Sequence, residues 1–247
     1  MPRDWDATTY DRIAYPMFRW GIGVVGWLDL QGDERVLDAG CGSGRVTEVL
    51  LERLPRGRVV ALDGSPSMLE VARRRLARFG SRVEYVEADL ARPLPIEGEV
   101  DAIVSTATFH WVPDHDALFA NLAAVVRPGG QLAAQCGGAG NLASVAAALL
   151  DLGIDPFAAK VFATPEETRE RLERAGFTEL GCWLHEEPTP LQPGEPLETY
   201  LATVVLGALL DEMPERERAP FMHEVAARLP EPALDYVRLN IRARRAG

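Results

Sequence analysis

The chain has 247 residues, and its 26 basic and 37 acidic side chains leave a formal net charge of -11. With 47% hydrophobic and 26% charged residues, it is long and apolar enough to bury a sizeable core, which excludes disorder for most of it. The acidic excess argues against nucleic acid as a partner, because binding a phosphate backbone requires clustered Lys and Arg.

In the first half of the chain, short apolar runs alternate with amphipathic stretches. The apolar runs predict strands at residues 35–38, 59–63, 83–87, 100–105 and 131–136. The amphipathic stretches predict helices at residues 46–54, 66–79 and 114–126. Strands and helices in regular alternation indicate an α/β fold, a doubly wound parallel sheet with helices on both faces.

The second half is less regular. Residues 141–160 predict a helical insertion, 165–175 a helix and 178–184 a strand, and a proline-rich connector follows at 188–196. Two apolar helical stretches, 197–212 and 215–229, precede a last predicted strand at 234–243. We interpret the whole chain as a single domain with helical cover over one edge of the sheet.

Several sequence features bear on the compartment of the protein and on metal binding. Glycines and polar residues interrupt the uncharged stretch 128–150, which argues against a membrane span and a membrane partner. Charged residues stand where a signal peptide needs an apolar run. The three cysteines contain no C-x-x-C pair and the four histidines are scattered, so we expect no disulfide, no metal site and a cytoplasmic location.

The strongest motif is VLDAGCGSG at residues 36–44, where a buried strand ends in an acid and opens into a glycine-rich loop. Glycines allow a tight turn and a close ligand, and the following helix offers free amide donors. A dinucleotide loop needs G-x-G-x-x-G, whereas here the third glycine, Gly44, comes one place early. Asp38 favours an ammonium or sulfonium group over a pyrophosphate. A loop that only packs a helix against a strand is the simpler alternative.

Two further acids follow the next two predicted strands. Asp63 ends the second strand and can accept hydrogen bonds from vicinal ribose hydroxyls, and Asp89 follows the third and can accept from an adenine amino group. Since ligands of open parallel sheets lie at the carboxyl ends of the strands, the three acids are expected to converge on one crevice. Each acid by itself is equally consistent with a turn or a helix cap.

These segments together resemble class I S-adenosylmethionine-dependent methyltransferases over about residues 30–136. VLDAGCGSG is similar to their first motif, ALDGSPSML to the ribose-binding segment, VEADL to the adenine-binding segment, and LAAVVRPGGQL to the segment before the fifth strand. The resemblance implies a Rossmann-like, mostly parallel seven-stranded sheet with an antiparallel last strand, and S-adenosyl-L-methionine as cofactor. It implies cofactor contacts from Tyr10, Asp38, Gly40, Cys41, Gly42, Gly44, Asp63, Gly64, Met68, Asp89, Leu90 and Ser105.

The same resemblance divides the chain into functional parts. It implies an N-terminal helical lid at 1–30, a cofactor-binding core at 31–136, helical substrate-side elements at 137–175 and 188–230, and the last strand at 234–243. Residues 5–11 are similar to the first helix of many relatives, which folds over the cofactor, so that Tyr10 would contact the methionine carboxylate. A plain surface helix is the alternative.

Residues 105–114 are similar to the segment after the fourth strand in trans-aconitate methyltransferases and related enzymes that methylate small carboxylic acids. His110 is a candidate general base or hydrogen-bond donor to an anionic substrate, with support of the next helix as the structural alternative. Trp111 and Arg19 are candidates for lining the substrate pocket, and ordinary packing explains either of them as well.

The sequence therefore predicts methyl transfer to a small-molecule acceptor, with an oxygen of a small acidic metabolite as the preferred target. In this in-line displacement the protein mainly positions and desolvates the reactants. The alternatives are C- or N-methylation of a secondary metabolite, and a non-catalytic cofactor-binding partner protein. A nicotinamide-dependent oxidoreductase is disfavoured by the glycine spacing, and the oligomeric state is not predicted.

Overall fold

The computed structural model describes residues 15–157 and 160–247. Its strands are β1 Arg35–Ala39, β2 Arg58–Asp63, β3 Val83–Glu87, β4 Val100–Thr106, β5 Val126–Gly137, β6 Phe177–Glu186, β7 Thr189–Pro190, β8 Ala233–Leu234 and β9 Val237–Arg245. The main sheet has seven of these strands in the order β3-β2-β1-β4-β5-β9-β6, and β7 and β8 form a separate pair. Every neighbouring pair of the main sheet is parallel except that β9 runs antiparallel to β5 and β6. The predicted sheet is confirmed.

Helices cover both faces of the sheet. They are α1 Tyr15–Val25, α2 Arg45–Arg53, α3 Pro66–Leu76, α4 His115–Val125, α5 Ala143–Asp151, α6 Pro165–Arg174, α7 Glu195–Tyr200, α8 Gly207–Asp211 and α9 Glu215–Arg228. Short 3₁₀ turns span Ala77–Arg82 and Phe109–Trp111, and a π turn spans Leu201–Val205. A helical layer formed by α5 and α7–α9 packs around its own apolar core, partly against α1.

The side chains of the central strand β1 alternate between the two faces of the sheet, which explains why both faces are covered by helices. Val36 of β1 packs in one core cluster with Leu51 of α2, whereas its neighbour Leu37 packs in another with Phe119 of α4. All four side chains are buried. Because successive residues of a strand point to opposite faces, an uninterrupted apolar run requires an apolar layer on each side.

Three predicted elements of the chain are corrected by the structure. Among the described residues of the insertion 141–160, the helix is Ala143–Asp151, and Leu142 (φ 59) and Gly153 (φ 73) bracket it in left-handed conformations. The helix predicted at 66–79 ends at Leu76 and continues as a 3₁₀ turn. The helix predicted at 197–212 is interrupted by the π turn and by Leu206, whose backbone (φ -111, ψ 6) is not helical.

The predicted last strand at 234–243 is also divided. Leu234 pairs with Thr189 in the small sheet, and β9 begins only at Val237. Between them, the Asp235 carboxylate accepts hydrogen bonds from the backbone N–H and the hydroxyl of Ser144, at 2.9 and 2.6 Å. Asp235 therefore binds the first turn of α5, and the chain cannot continue as one straight strand through this position.

The start of α6 is a capping box. The Thr164 hydroxyl accepts from the Glu167 N–H at 3.1 Å, and the Glu167 carboxylate accepts from the Thr164 N–H at 3.0 Å. We expect Thr164→Ala to lower the free energy of unfolding by about 1 kcal/mol, because the Glu167 N–H loses the side-chain acceptor that caps it. Urea unfolding measures this. Thr164→Ser, which keeps the hydroxyl, is the matched control and should unfold close to the wild type; equal losses in both variants would refute the capping role.

Candidate functional site

A cavity of about 380 Å³ opens at the carboxyl ends of the parallel strands. The loops after β1, β2, β3 and β4 line one part of it. Residues from α1, α8, β9, the π turn and the segments before α5, α6 and β9 line the rest. This position agrees with the rule that open parallel sheets bind ligands where neighbouring strands send their connections to opposite sides. Here the switch lies between β1 and β4.

The glycine loop meets the cavity at two of its glycines. Gly40 (φ 87) passes so close to the loop after β4 that a Cβ would lie 2.2 Å from the Thr108 Oγ1. Gly42 (φ 54) faces open space, with no atom within 4 Å of a Cβ position. Both line the cavity, and Cys41 lines a smaller one beside it. The loop thus offers bare backbone to a ligand.

Three of the predicted cofactor residues, Asp38, Gly44 and Ser105, lie outside the lining of both cavities. Gly44 is the N-cap of α2, and its Cβ position is 3.1 Å from the Leu76 Cδ1 and 3.2 Å from the Ala72 Cβ, so it allows α2 to pack on α3. The Ser105 hydroxyl donates to the Ala39 carbonyl at 2.6 Å. It joins β4 to β1 below the loops.

Asp38 is completely buried beneath the glycine loop and is not part of the cavity lining. Its Oδ2 accepts from the Thr47 hydroxyl at 2.6 Å, whereas its Oδ1 has no hydrogen-bond partner within the described part of the chain. Burial raises the pKa of Asp38 to about 7, with a further contribution from the Asp63 charge. A buried carboxylate oxygen that still lacks a donor fits a ligand with an ammonium group.

Asp63 and Asp89 both line the cavity. The Asp63 carboxylate accepts from the backbone N–H groups of Gly42 at 2.8 Å and Ser65 at 2.9 Å, so the glycine loop and the start of α3 orient it together. The Asp89 carboxylate accepts from the Ala91 N–H at 2.9 Å. The other predicted members of this side, Gly64, Met68 and Leu90, line the same cavity.

His110 and Trp111 follow β4 on a 3₁₀ turn and face the cavity. The His110 ring stacks on Phe162 with centroids 5.8 Å apart, and its Nδ1 accepts from the Gly137 N–H at 3.3 Å. Burial lowers the pKa of His110 well below its usual range, and the nearby Arg238 and Lys160 charges lower it further. The imidazole is therefore held neutral.

Lys160 and Arg238 are two cationic side chains of the lining that the sequence reasoning missed. The Lys160 Nζ donates to the Val205 carbonyl at 2.7 Å and lies 4.3 Å from the centre of the Trp111 ring. Arg238 is 2% exposed, and its guanidinium stacks on Trp20 at 4.6 Å. Two features of the sequence could have indicated these residues. Arg238 interrupts a largely apolar run at 236–241, and Lys160 is the only lysine of the chain.

The structure does not bring Arg19 to the cavity. Its side chain is exposed and forms an ion pair with Glu187 at 3.3 Å. Met17 and Trp20 occupy the inward face of α1, since residues three apart share a helix face, and Arg19 lies between them on the outer side. The structure therefore gives no support to Arg19 as a substrate-binding residue. Tyr10 lies outside the described residues.

Residues 15–157 and 160–247 contain no group of three or more His, Cys, Asp or Glu side chains arranged to hold a metal ion. These ranges also contain no helix of the length and apolar character that crossing a bilayer requires.

Sequence comparisons identify the class of protein. A family profile described as a methyltransferase domain matches residues 36–130. The trans-aconitate 2-methyltransferase of Methylobacterium nodulans is 37% identical over 183 residues, which are 73% of this chain and 67% of that protein. The protein of the same name from Acidovorax ebreus is 36% identical over 132 residues, which are 53% of this chain and only 49% of that protein.

Structural comparison agrees on the fold. A Haemonchus contortus phosphoethanolamine N-methyltransferase 2, solved in complex with S-adenosyl-L-methionine, superposes with a TM-score of 0.63 at 16% identity, over 98% of this chain and 57% of that one. The chain belongs to the class I S-adenosylmethionine-dependent methyltransferases. It is a methyltransferase whose cofactor is S-adenosyl-L-methionine.

The buried Asp38 predicts a characteristic pH dependence of the ligand-free protein. Because its pKa of about 7 in the folded state exceeds the ordinary value, the folded state holds the proton more tightly, and the resulting stabilisation is lost as the pH rises through 7. We expect the free energy of unfolding of the wild type to fall relative to Asp38→Asn between pH 5 and 8, as measured by urea unfolding.

Asp101 provides the matched control for this experiment. Burial alone would raise the pKa of Asp101, but hydrogen bonds from the Arg35 N–H and the Arg127 guanidinium hold it below its usual range. Asp101 is therefore ionised in both the folded and the unfolded chain from pH 5 to 8. The difference between wild type and Asp101→Asn should stay constant there, and an equally constant difference for Asp38→Asn would contradict the assignment.

Proposed function

We propose that this methyltransferase transfers the methyl group to a carboxylate oxygen of a small polycarboxylic acid, a class that includes trans-aconitate. The division of charge around the cavity carries the proposal. Asp63 and Asp89 lie on the β2–β3 side, whereas Arg238 on β9 and Lys160 near the π turn lie on the other side. A cationic cofactor suits the first side and an anionic acceptor suits the second. The names of the relatives agree with this acceptor class.

For the cofactor we propose contacts along the acidic side of the cavity. The exposed backbone of Gly40 and Gly42 and the unpartnered oxygen of Asp38 suit the methionine portion, and Asp63 suits the ribose hydroxyls. Asp89, with Leu90 and Met68, suits the adenine. When bound, S-adenosyl-L-methionine supplies a methyl group on a positively charged sulfur, and the protein's part is to position and desolvate the acceptor.

The acceptor needs no general base in this proposal. A carboxylate is ionised at neutral pH, so its oxygen is already a nucleophile. Lys160 and Arg238 attract the anion, and their effect is strengthened because apolar groups such as Phe162 and Leu142 limit the water in the cavity. Binding two carboxylates of one molecule would leave a third position for the reacting oxygen.

For His110 we propose the role of a hydrogen-bond donor to the acceptor. Its Nδ1 accepts from the Gly137 N–H, so the neutral ring carries its proton on Nε2. With its pKa well below the usual range, the ring is a poor proton acceptor at neutral pH. A donor role fits this state of the ring, whereas the general-base alternative requires the opposite arrangement.

The proposal is tested by incubating the purified protein with S-adenosyl-L-methionine and a panel of small tricarboxylic, dicarboxylic and monocarboxylic acids, with their methyl esters and amides as uncharged controls. Release of S-adenosylhomocysteine and the mass of the product are measured. We expect methyl esters from polycarboxylic acids, and an acceptor KM about tenfold higher in Lys160→Met. Lys160→Arg, which keeps the charge, should lie closer to the wild type. Turnover of only neutral acceptors would refute the proposal.

The role of His110 is tested with His110→Gln. Since glutamine can both accept from the Gly137 N–H and donate to the acceptor, we expect kcat to stay within roughly threefold of the wild type from pH 6 to 9, whereas loss of a general base costs about 100-fold or more. His115→Gln is the control, because the His115 Nε2 donates to the Phe109 carbonyl and His115 does not line the cavity. A 100-fold loss confined to His110→Gln would establish the base role instead.

A further inference from the structure

A chain of hydrogen-bonded polar side chains runs from the cavity wall along the α1 face of the sheet. The Arg238 Nε donates to the Gln135 Oε1 at 3.4 Å, and the Gln135 Nε2 donates to the Asn240 Oδ1 at 2.8 Å. The Asn240 Nδ2 lies 2.7 Å from the Nδ1 of His185. Arg238, Gln135 and Asn240 are each at most 5% exposed. Such a network is costly to bury unless its members satisfy one another.

Strand register produces this chain. Gln135 of β5 is paired with Asn240 of β9, and Asn240 is two residues from Arg238, so all three side chains lie on the α1 face of the sheet. On that face Trp20 of α1 packs against the guanidinium. Leu239 and Ile241, which alternate with Arg238 and Asn240 along β9, belong to the apolar core on the opposite face. Polar and apolar positions of β9 therefore alternate.

Two backbone carbonyls set the direction of the hydrogen bonds. The Asn240 Nδ2 donates to the carbonyls of Trp183 and Arg238, both at 3.2 Å. A carbonyl can only accept, so the nitrogen of the Asn240 amide must face them and its oxygen must face Gln135. Gln135 then presents its nitrogen to Asn240 and its oxygen to Arg238. The orientation of both amides follows from the backbone.

We propose that Gln135 and Asn240 are positioning residues that hold Arg238 as the anchor for a carboxylate of the acceptor. The anionic acceptor in this statement rests on the proposed function. Gln135 fixes the Nε edge of the guanidinium and Trp20 fixes its plane. A guanidinium held in this way loses little freedom when it binds a carboxylate in its planar geometry.

The first measurement concerns the guanidinium itself and needs no substrate. In ¹⁵N-labelled wild-type protein we expect a slowly exchanging Nε–Hε signal from Arg238, assigned by its absence in Arg238→Lys. Gln135→Met, a change of similar size, should shift the signal and accelerate its exchange. The matched control is Gln131→Met, on the same strand and face but hydrogen-bonded to the Asp29 backbone. An unchanged signal in Gln135→Met would overturn the positioning role.

The second measurement is steady-state kinetics with the acid that the panel identifies. Gln135→Met should raise the acceptor KM about tenfold, since a hydrogen bond to a charged group is lost, and leave the KM for S-adenosyl-L-methionine unchanged. Gln135→Glu should also raise the acceptor KM, because its carboxylate pairs with Arg238 in competition with the acid, while the Nε–Hε signal stays protected.

The two measurements separate the two proposals. An altered Nε–Hε signal with an unchanged acceptor KM would refute Arg238 as the anchor. If the signal changes as expected but no acid is methylated, the proposed function fails while the positioning of Arg238 by Gln135 stands. A rise in both KM values would indicate general damage to the site and would also count against the proposal.

Discussion

The close contact between the loops after β1 and β4 is the constraint on which the rest of the site depends. Gly40 passes Thr108 at a distance that leaves no room for a side chain, and the Thr108 hydroxyl donates to the Gly40 carbonyl at 3.3 Å. From this point the two strands send their connections in opposite directions across the sheet. The crevice that results is bounded by the glycine loop on one side and by the His110 turn on the other.

The order of the strands then determines how charge is distributed around this crevice. Strands β2 and β3 lie to one side of β1 and end in the segments that carry Asp63 and Asp89. Strands β5 and β9 lie to the other side, and β9 carries Arg238. A cavity with an acidic side and a basic side thus follows from topology, because opposite charges are held on different strands instead of neutralising one another.

The charged groups buried below the cavity follow the same separation of acidic and basic side chains. Asp38 and Arg238 are both almost fully buried, one beneath the glycine loop and the other at the start of β9. Burying either group is costly unless it is hydrogen-bonded. The Thr47 hydroxyl donates to one of the two carboxylate oxygens of Asp38. Gln135, which is bonded to Asn240, accepts from Arg238 and orients it. The protein therefore maintains two polar positions at the base of the cavity at some cost in stability, as functional sites commonly do.

The sequence alone determined the sheet, the glycine loop and the acids after the strands, because periodicity and strand-end position are local properties that a parallel sheet converts directly into a common edge. Tertiary structure decided the other half of the site. Since β9 is reversed, its first residues, and not its last, meet the carboxyl ends of its neighbours, which brings Arg238 to the cavity. Lys160 reaches it through an irregular segment, and Arg19 turns away because Met17 and Trp20 occupy the inner face of α1. Such placements depend on packing between distant segments, which no local pattern encodes.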